Sequence, residues 1–317
     1  QGYGWAYLHR MEEELMKMAA RGLTVVGGSG DAGWSNVGEA GNDISQIDPT
    51  CTPMRPFYPS SSAYVLSVSS VFPSPAATPA FQMNASESFE WSMACTSPGP
   101  VAISVSSGRR WTTGGGFSNM TMQPSWQKAA LGSWLSSNPT TPPQQFFNIQ
   151  GRGYPDVATI GDNLLVIMNG NRIPLGGTSS STPITGGVLS LLNELRLSKG
   201  LPPLGHVNPL LYKLARETYS VFTDVTVGKN NDGDVQLPGS IYPTHCPYGF
   251  ECQPGWDPVT GLGVINYEVL SKLVIPSESS KDGSTSNWVA IIISAIAAIV
   301  AVVAVVIISK KAKVPKR

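Results

Sequence analysis

Histidine is scarce in this chain, and neither sign of charge predominates. The 317 residues include three histidines, and 21 lysines and arginines balance 21 aspartates and glutamates. A nucleophilic serine usually works with a histidine base. However, His9 lies beside Arg10 in a predicted helix, and neither His206 nor His245 occurs in a pattern typical of a catalytic base. Residues 1–8 also contain no aspartate for a triad in the order aspartate, histidine, serine. A histidine-dependent hydrolase is therefore the least favoured enzyme class.

Charge is unevenly distributed along the chain despite the overall balance. Five basic residues lie at the C-terminus: Lys310, Lys311, Lys313, Lys316 and Arg317. The remainder has 21 − 5 = 16 basic residues against 21 acidic ones, a net charge of −5. No basic surface is indicated, so the sequence predicts no nucleic-acid partner.

Residues 288–308 contain no ionisable side chain, and isoleucine, valine and alanine occupy nearly every position. As a helix, 21 residues extend about 31 Å, which is enough to cross a bilayer core. The basic residues that follow place residues 309–317 in the cytoplasm. Residues 276–287 are serine-rich and polar, which is typical of a flexible stalk. The sequence predicts a single-pass membrane protein in which residues 1–275 are lumenal or extracellular.

Four cysteines are present, with no CxxC pair and no well-spaced histidine, which argues against a zinc site. They are Cys51, Cys95, Cys246 and Cys252. An oxidising compartment would allow three pairings. The short spacing of Cys246 and Cys252 favours a bridge between them, which leaves Cys51 to pair with Cys95. Asn84 and Asn119 begin glycosylation sequons, which suits the same compartment.

Periodicity and turn residues predict a mixture of helices and strands. Helices are predicted over residues 7–21 and 123–136, and strands over residues 23–26 and 64–71. Asn169-Gly170 separates two apolar segments, 164–168 and 172–175, as in a tight hairpin. Beyond it, Ile184, Val188, Leu191, Leu192 and Leu195 recur at helical spacing, and Gly200 is a stop signal. This order predicts an α/β fold with helices packed on a sheet.

Residues 176–183 are rich in hydroxyl groups. They lie between the hairpin and the helix predicted from Ile184 onward. A serine at the start of a helix faces backbone N–H groups and the positive end of the helix dipole, which suits a developing oxyanion. The same residues would also serve as an ordinary helix cap. On this stretch alone the two interpretations are equally supported.

Four motifs occur in a fixed order: SGDAG at 29–33, GRGYPDVA at 151–158, GTSSSTP at 177–183 and GWDPVTG at 255–261. Together, over about residues 7–274, the chain resembles the sedolisin family of serine-carboxyl peptidases. The resemblance implies a subtilisin-like fold, with a mostly parallel sheet flanked by helices. It also implies that Ser179 is the nucleophile and that Asp31, while protonated, donates a hydrogen bond to the oxyanion. Without the ordered motifs, Asp31 would be interpreted as a turn residue.

The resemblance implies one structural calcium ion near the C-terminal end of the domain. Its ligands would be the carboxylates of Asp224 and Asp257 and the carbonyls of Val225, Gln253 and Gly255, and hard oxygen ligands suit calcium. The alternative is a pair of ordinary turn aspartates. The resemblance further implies an acid-active peptidase of a lysosomal or other acidic compartment. It would act on peptide or protein substrates, releasing tripeptides from N-termini or cleaving internally.

The resemblance also implies a general-base glutamate four residues before an aspartate, upstream of Asp31. Glu12, Glu13 and Glu14 lack that aspartate, and the pairs Glu39/Asp43 and Glu278/Asp282 lie in unsuitable contexts after Asp31. We therefore expect residues 1–275 to be the C-terminal part of a peptidase domain whose general base lies elsewhere. The alternative is a truncated, non-catalytic, membrane-anchored binding protein.

Overall fold

The structure, a computed structural model, describes residues 4–35, 53–73, 99–109, 111–231 and 246–275. In these ranges no helix is both long enough and apolar enough to cross a membrane. The predicted span at residues 288–308, its stalk and its basic tail lie outside them, as do the pairs Glu39/Asp43 and Glu278/Asp282.

Both helices and strands occur along the described chain, as the sequence predicts, but they do not alternate strictly. The helices are α1 (Trp5–Ala20), α2 (Lys128–Ser136), α3 (Thr178–Ser198), α4 (Asn208–Glu217) and α5 (Tyr267–Leu273). The first five strands are β1 (Val25–Gly28), β2 (Val65–Pro73), β3 (Pro100–Ala102), β4 (Gly116–Met122) and β5 (Gly151–Tyr154). The remaining five are β6 (Val157–Ile160), β7 (Leu164–Met168), β8 (Asn171–Leu175), β9 (Phe222–Thr223) and β10 (Val264–Ile265).

The main sheet is mostly parallel and has the order β1-β2-β6-β10-β9. Strands β1, β2, β6 and β10 are parallel neighbours, whereas β9 is antiparallel to β10 and β3 is antiparallel to β2. In β2, Val68 pairs with Gly28 on one side and Val157 on the other. Val65, Leu66 and Val68 are fully buried, as expected where both faces of a parallel sheet are covered. The predicted α/β class is confirmed.

Helix α3 packs against β1, β2 and β6, and its buried residues coincide only in part with the apolar residues at helical spacing. Its buried residues are Thr178, Ser181, Thr185, Leu189 and Leu192, whereas Leu191 is 53% exposed. The reason is visible at Ser181, whose hydroxyl lies 2.7 Å from that of Ser70 on β2 and also contacts the carbonyls of Thr159 and Ile160. Small hydroxyl side chains with satisfied hydrogen bonds allow the helix to lie close to the sheet, so the buried face includes polar residues that apolar spacing does not mark.

A buried ion pair joins the GRGYPDVA segment to the rest of the domain. Arg152 donates a hydrogen bond to Asp156, and neither side chain is exposed. The Asp156 carboxylate also accepts hydrogen bonds from the Ser67 N–H at 2.8 Å, from Asn208 at 2.9 Å and from the Tyr212 hydroxyl at 2.9 Å. This carboxylate therefore ties β2 and α4 to the turn between β5 and β6.

The predicted bridge between Cys246 and Cys252 is wrong. Cys246 is disulfide-bonded, but Cys252 is a buried free thiol. The Cys252 N–H donates to the carbonyl of Gly228, and its sulfur lies 4.0 Å from the Thr260 hydroxyl oxygen. Short spacing in the sequence therefore did not bring the two sulfurs together. Cys51 and Cys95, the other predicted pair, lie outside the described residues.

Candidate active site

Ser179 is the second residue of α3, and its side chain is exposed. The hairpin of β7 and β8 leads into this helix, as predicted, and Asn169 and Gly170 form its turn with φ of 51° and 77°. Gly177 is the N-cap, with a φ of 132° that favours glycine. A Cβ atom at Gly177 would lie 2.7 Å from Oδ2 of Asp31, so only glycine fits beside that carboxyl group.

Asp31 lies just beyond the carboxyl end of β1 and meets the amino end of α3. Its Oδ1 accepts a hydrogen bond from the N–H of Thr178 at 2.7 Å and another from the Thr178 hydroxyl at 2.9 Å. These two residues are separated by 147 positions in the sequence. The fold therefore brings the carboxyl group of Asp31 to the residue that immediately precedes Ser179.

The surroundings of Asp31 favour its neutral form. Burial raises the pKa of the Asp31 carboxyl above its ordinary value, although the two hydrogen bonds from Thr178 act in the opposite direction. A carboxyl group can donate a hydrogen bond only while it is protonated. A raised pKa extends the pH range in which Asp31 is such a donor.

The described histidines make contacts with aromatic rings. The His206 ring centroid lies 6.2 Å from that of Tyr64 and 6.3 Å from that of Trp126, and burial lowers the pKa of His206. The His9 ring centroid lies 6.3 Å from that of Trp5 on α1. His245 lies outside the described residues. These contacts give no support to a histidine base.

The three glutamates of α1 have other partners. The half-buried Glu12 accepts hydrogen bonds from the hydroxyls of Ser62 at 2.9 Å, Thr121 at 3.2 Å and Tyr58 at 3.4 Å. These bonds anchor α1 to the domain. Glu13 and Glu14 form exposed ion pairs with Arg10, and Glu14 also pairs with Lys17.

The structure brings the five predicted calcium ligands into one region. Oδ2 of Asp224 accepts a hydrogen bond from the Gly255 N–H at 2.9 Å, and Oδ2 of Asp257 accepts one from the Gln253 N–H at 3.0 Å. The Val225 N–H donates to Oδ1 of Asp224 at 2.9 Å. Asp257 is fully buried, and burial raises the pKa of its carboxyl to about 7. A nearby cation would stabilise the ionised form of such a carboxyl group.

No cluster of three or more histidine, cysteine, aspartate or glutamate side chains suited to a metal occurs in the described part of the chain. The predicted calcium set contains only two carboxylates, and its other three ligands are backbone carbonyls. The donor chemistry of these residues therefore fits a hard cation such as calcium, and it does not resemble a cysteine- and histidine-rich zinc site.

Comparison with known proteins supports the family predicted from the motifs. No protein-family model matches the chain. Tripeptidyl-peptidase 1 from Canis lupus familiaris and from Homo sapiens are each 39% identical to it over 275 residues, which are 85% of this chain and 40% of theirs. Physarolisin from Physarum polycephalum is 34% identical over 270 residues, which are 84% of this chain and 44% of that protein. The chain belongs to the sedolisin family.

A solved structure supports the sedolisin fold. Pseudomonas sedolisin, a serine-carboxyl proteinase in complex with two molecules of pseudo-iodotyrostatin, matches with a TM-score of 0.56 and 24% identity. The match covers 83% of this chain and 58% of that one. This chain spans about two fifths of the length of the tripeptidyl peptidases that it matches.

One contact of this sedolisin-related site was not foreseen from the sequence. Thr178 belongs to the GTSSSTP motif, but only the three-dimensional structure shows that it binds Asp31 through both its N–H and its hydroxyl. The available signal was its position directly before the predicted nucleophile.

Proposed function

We propose that this chain carries the nucleophile and the oxyanion-binding carboxyl group of an acid-active serine-carboxyl peptidase. The observation that carries the proposal is the contact of Asp31 with Thr178, directly before Ser179 at the amino end of α3. Membership of the sedolisin family supports it.

In the proposed reaction, Oγ of Ser179 attacks the carbonyl carbon of a peptide bond. A C–O bond forms, and the carbonyl electron pair moves onto oxygen. Protonated Asp31 and the N–H groups at the start of α3 stabilise this oxyanion. The serine proton passes to a general-base glutamate of the kind that the family resemblance implies upstream of Asp31. It then passes to the leaving amine as the C–N bond breaks, and water hydrolyses the resulting acyl-enzyme.

The key experiment compares neighbouring serines in the intact protein. Ser179→Ala should abolish peptidase activity at acidic pH, because it removes the attacking oxygen. Ser180→Ala is the matched control, since Ser180 is the next residue of the helix and is half-buried. Activity retained in Ser179→Ala, or lost only in Ser180→Ala, would refute the assignment.

The substrate class proposed is a polypeptide with a free N-terminus, from which tripeptides are released. The support is the identity with tripeptidyl-peptidase 1, and endopeptidase activity is the alternative mode. Mass spectrometry of products from one peptide with a free and with an acetylated N-terminus distinguishes the two modes. Tripeptide release should disappear on acetylation, whereas internal cleavage should continue.

A structural calcium ion is also proposed. The carboxylates of Asp224 and Asp257 and the carbonyls of Val225, Gln253 and Gly255 would hold it. The ion would supply positive charge to the buried Asp257 carboxyl and stabilise the loops that carry these residues. It would take no part in peptide cleavage.

The location proposed is an acidic lumenal or extracellular compartment, with residues 288–308 as a membrane anchor and residues 309–317 in the cytoplasm. Asn119 is exposed on β4, so a glycan there would meet solvent. Asn84 lies outside the described residues. A shift in electrophoretic mobility after glycosidase treatment, lost in Asn119→Gln, would test the Asn119 glycan.

A non-catalytic binding protein is the second candidate. The contacts of Glu12, Glu13 and Glu14 favour it, because all three carboxylates are engaged with hydroxyls or with Arg10 and Lys17. This candidate predicts substrate binding without turnover, and binding should survive in Ser179→Ala.

A further inference from the structure

We infer that Thr178 is a positioning residue, which orients Asp31 and confines its acidic proton to Oδ2. The inference rests on the proposed function, in which neutral Asp31 donates a hydrogen bond to the oxyanion. A carboxyl group has two oxygens, and only the protonated one can donate. The hydrogen-bond pattern around Thr178 determines which oxygen that is.

The hydroxyl of Thr178 has a defined direction. The Gly30 N–H donates to Oγ1 of Thr178 at 3.2 Å, and this contact is buried. Because Oγ1 accepts there, its single hydrogen is available for Oδ1 of Asp31, 2.9 Å away. Thr178 is only 3% exposed, so water does not compete for either bond.

The backbone N–H and the hydroxyl of Thr178 therefore donate to the same carboxyl oxygen of Asp31, at 2.7 Å and 2.9 Å. An oxygen that accepts two hydrogen bonds has both lone-pair directions occupied. The acidic proton then resides on Oδ2. This oxygen lies against Gly177, where a Cβ atom would be only 2.7 Å away, at the amino end of the helix that carries Ser179.

Among the described residues, the start of α3 adds no charge beside Asp31, and a further carboxyl group lies nearby. Residues 178–187 of α3 contain no ionisable side chain. Asp162 lies against the neighbouring glycine, Gly176, but its Oδ2 is paired with Arg109 at 3.2 Å. Burial raises the pKa of Asp31, and the two bonds from Thr178 lower it. Loss of the Thr178 hydroxyl should therefore raise this pKa further.

The test combines pH–rate profiles with a titration that needs no turnover. Thr178→Val should move the alkaline limb of kcat upward by about one pH unit, because one hydrogen bond to the ionised carboxyl is lost. It should also lower the acidic plateau of kcat by about tenfold, with little change in KM, because the proton is no longer confined to one oxygen. Thr178→Ser keeps the hydroxyl and should behave like the wild type.

Thr182→Val is the matched control. It is the same substitution one turn along α3, and the Thr182 hydroxyl donates to the carbonyl of Thr178 rather than to Asp31. Its alkaline limb should not move. If Thr178→Val does not fold, Thr178→Ala replaces it in the test. The alanine variant also removes the hydroxyl, without adding a second methyl group, and the same changes are expected.

The titration uses carboxyl carbon NMR in a Ser179→Ala background, with the Asp31 signal assigned by Asp31→Asn. A higher Asp31 pKa on adding Thr178→Val, but not on adding Thr178→Ser, supports the inference. An unchanged pKa, or an equal change with serine, overturns it. If the pKa rises as expected while the protein with Ser179 intact cleaves no peptide, the orientation of Asp31 stands and the proposed function fails.

Discussion

Arg152 donates a hydrogen bond to Asp156, and both side chains are completely shielded from solvent. Removing one partner of a buried ion pair leaves the other charge without compensation. We expect Asp156→Asn to lower the free energy of unfolding by about 3–5 kcal/mol, measured by urea denaturation. The control is Glu13→Gln, which breaks an exposed pair with Arg10 and should cause no measurable change. Equal stability of the two variants would contradict this account of the core.

Gly177→Ala should reduce peptidase activity by about 10²-fold, because a methyl group would displace the carboxyl of Asp31 from the amino end of α3. Its φ of 132° is also unfavourable for alanine. Gly187→Ala is the matched control within the same helix. A Cβ atom there would meet nothing within 4 Å, so activity should be unchanged and stability should rise by about 0.5–1 kcal/mol. Steady-state kinetics and thermal unfolding of both variants provide the measurement.

The raised pKa of Asp31 predicts a specific pH dependence of activity. The wild type should lose activity as the pH rises through this pKa, because the ionised carboxyl no longer donates. In Asp31→Asn the side-chain amide donates at every pH, so the alkaline limb should disappear while the maximal rate falls. A pH–rate profile in which the asparagine variant keeps the wild-type limb would show that another group titrates.

The raised pKa of Asp31 also makes the stability of the folded protein depend on pH. Because the folded-state pKa of Asp31 lies above its ordinary value of 3.8, the folded protein binds more protons than the unfolded chain between these two values. Its contribution to stability is therefore complete below pH 3.8 and is lost as the pH rises through the folded-state pKa. Comparison of wild type and Asp31→Asn by urea denaturation across this range should show the difference.

Calcium should raise the melting temperature, and a chelator should lower it. A ligand present at 100 times its Kd stabilises the folded state by about 2.7 kcal/mol. Asp224→Asn with Asp257→Asn should abolish the response, whereas Asp162→Asn, which removes a carboxylate paired with Arg109, should keep it. Magnesium should substitute poorly, because it demands a tighter octahedral geometry. An identical response in the double variant would exclude these ligands.

Local rules in the sequence determined the parts of the site that lie close together along the chain. Asn169-Gly170 set the β7–β8 hairpin, because both residues adopt positive φ in its turn. Gly177 and the hydroxyl-rich residues after it set the start of α3. Helix α2 began later than predicted, at Lys128 rather than at residue 123, because Gln127 and Lys128 first form turns back to Pro124 and Ser125. The four ordered motifs indicated the family.

Only the tertiary structure decided how distant segments meet. The contact of Asp31 with Thr178 depends on where β1 ends relative to α3, and no pattern within either segment encodes that distance. The buried face of α3 includes Ser181, which forms hydrogen bonds to the sheet and which apolar periodicity alone does not mark. Cys252 is a buried free thiol whose N–H pairs with Gly228, whereas Cys246 is disulfide-bonded, so short spacing in the sequence did not decide the pairing. In each case the outcome depends on packing between elements far apart in the chain, which local propensity does not specify.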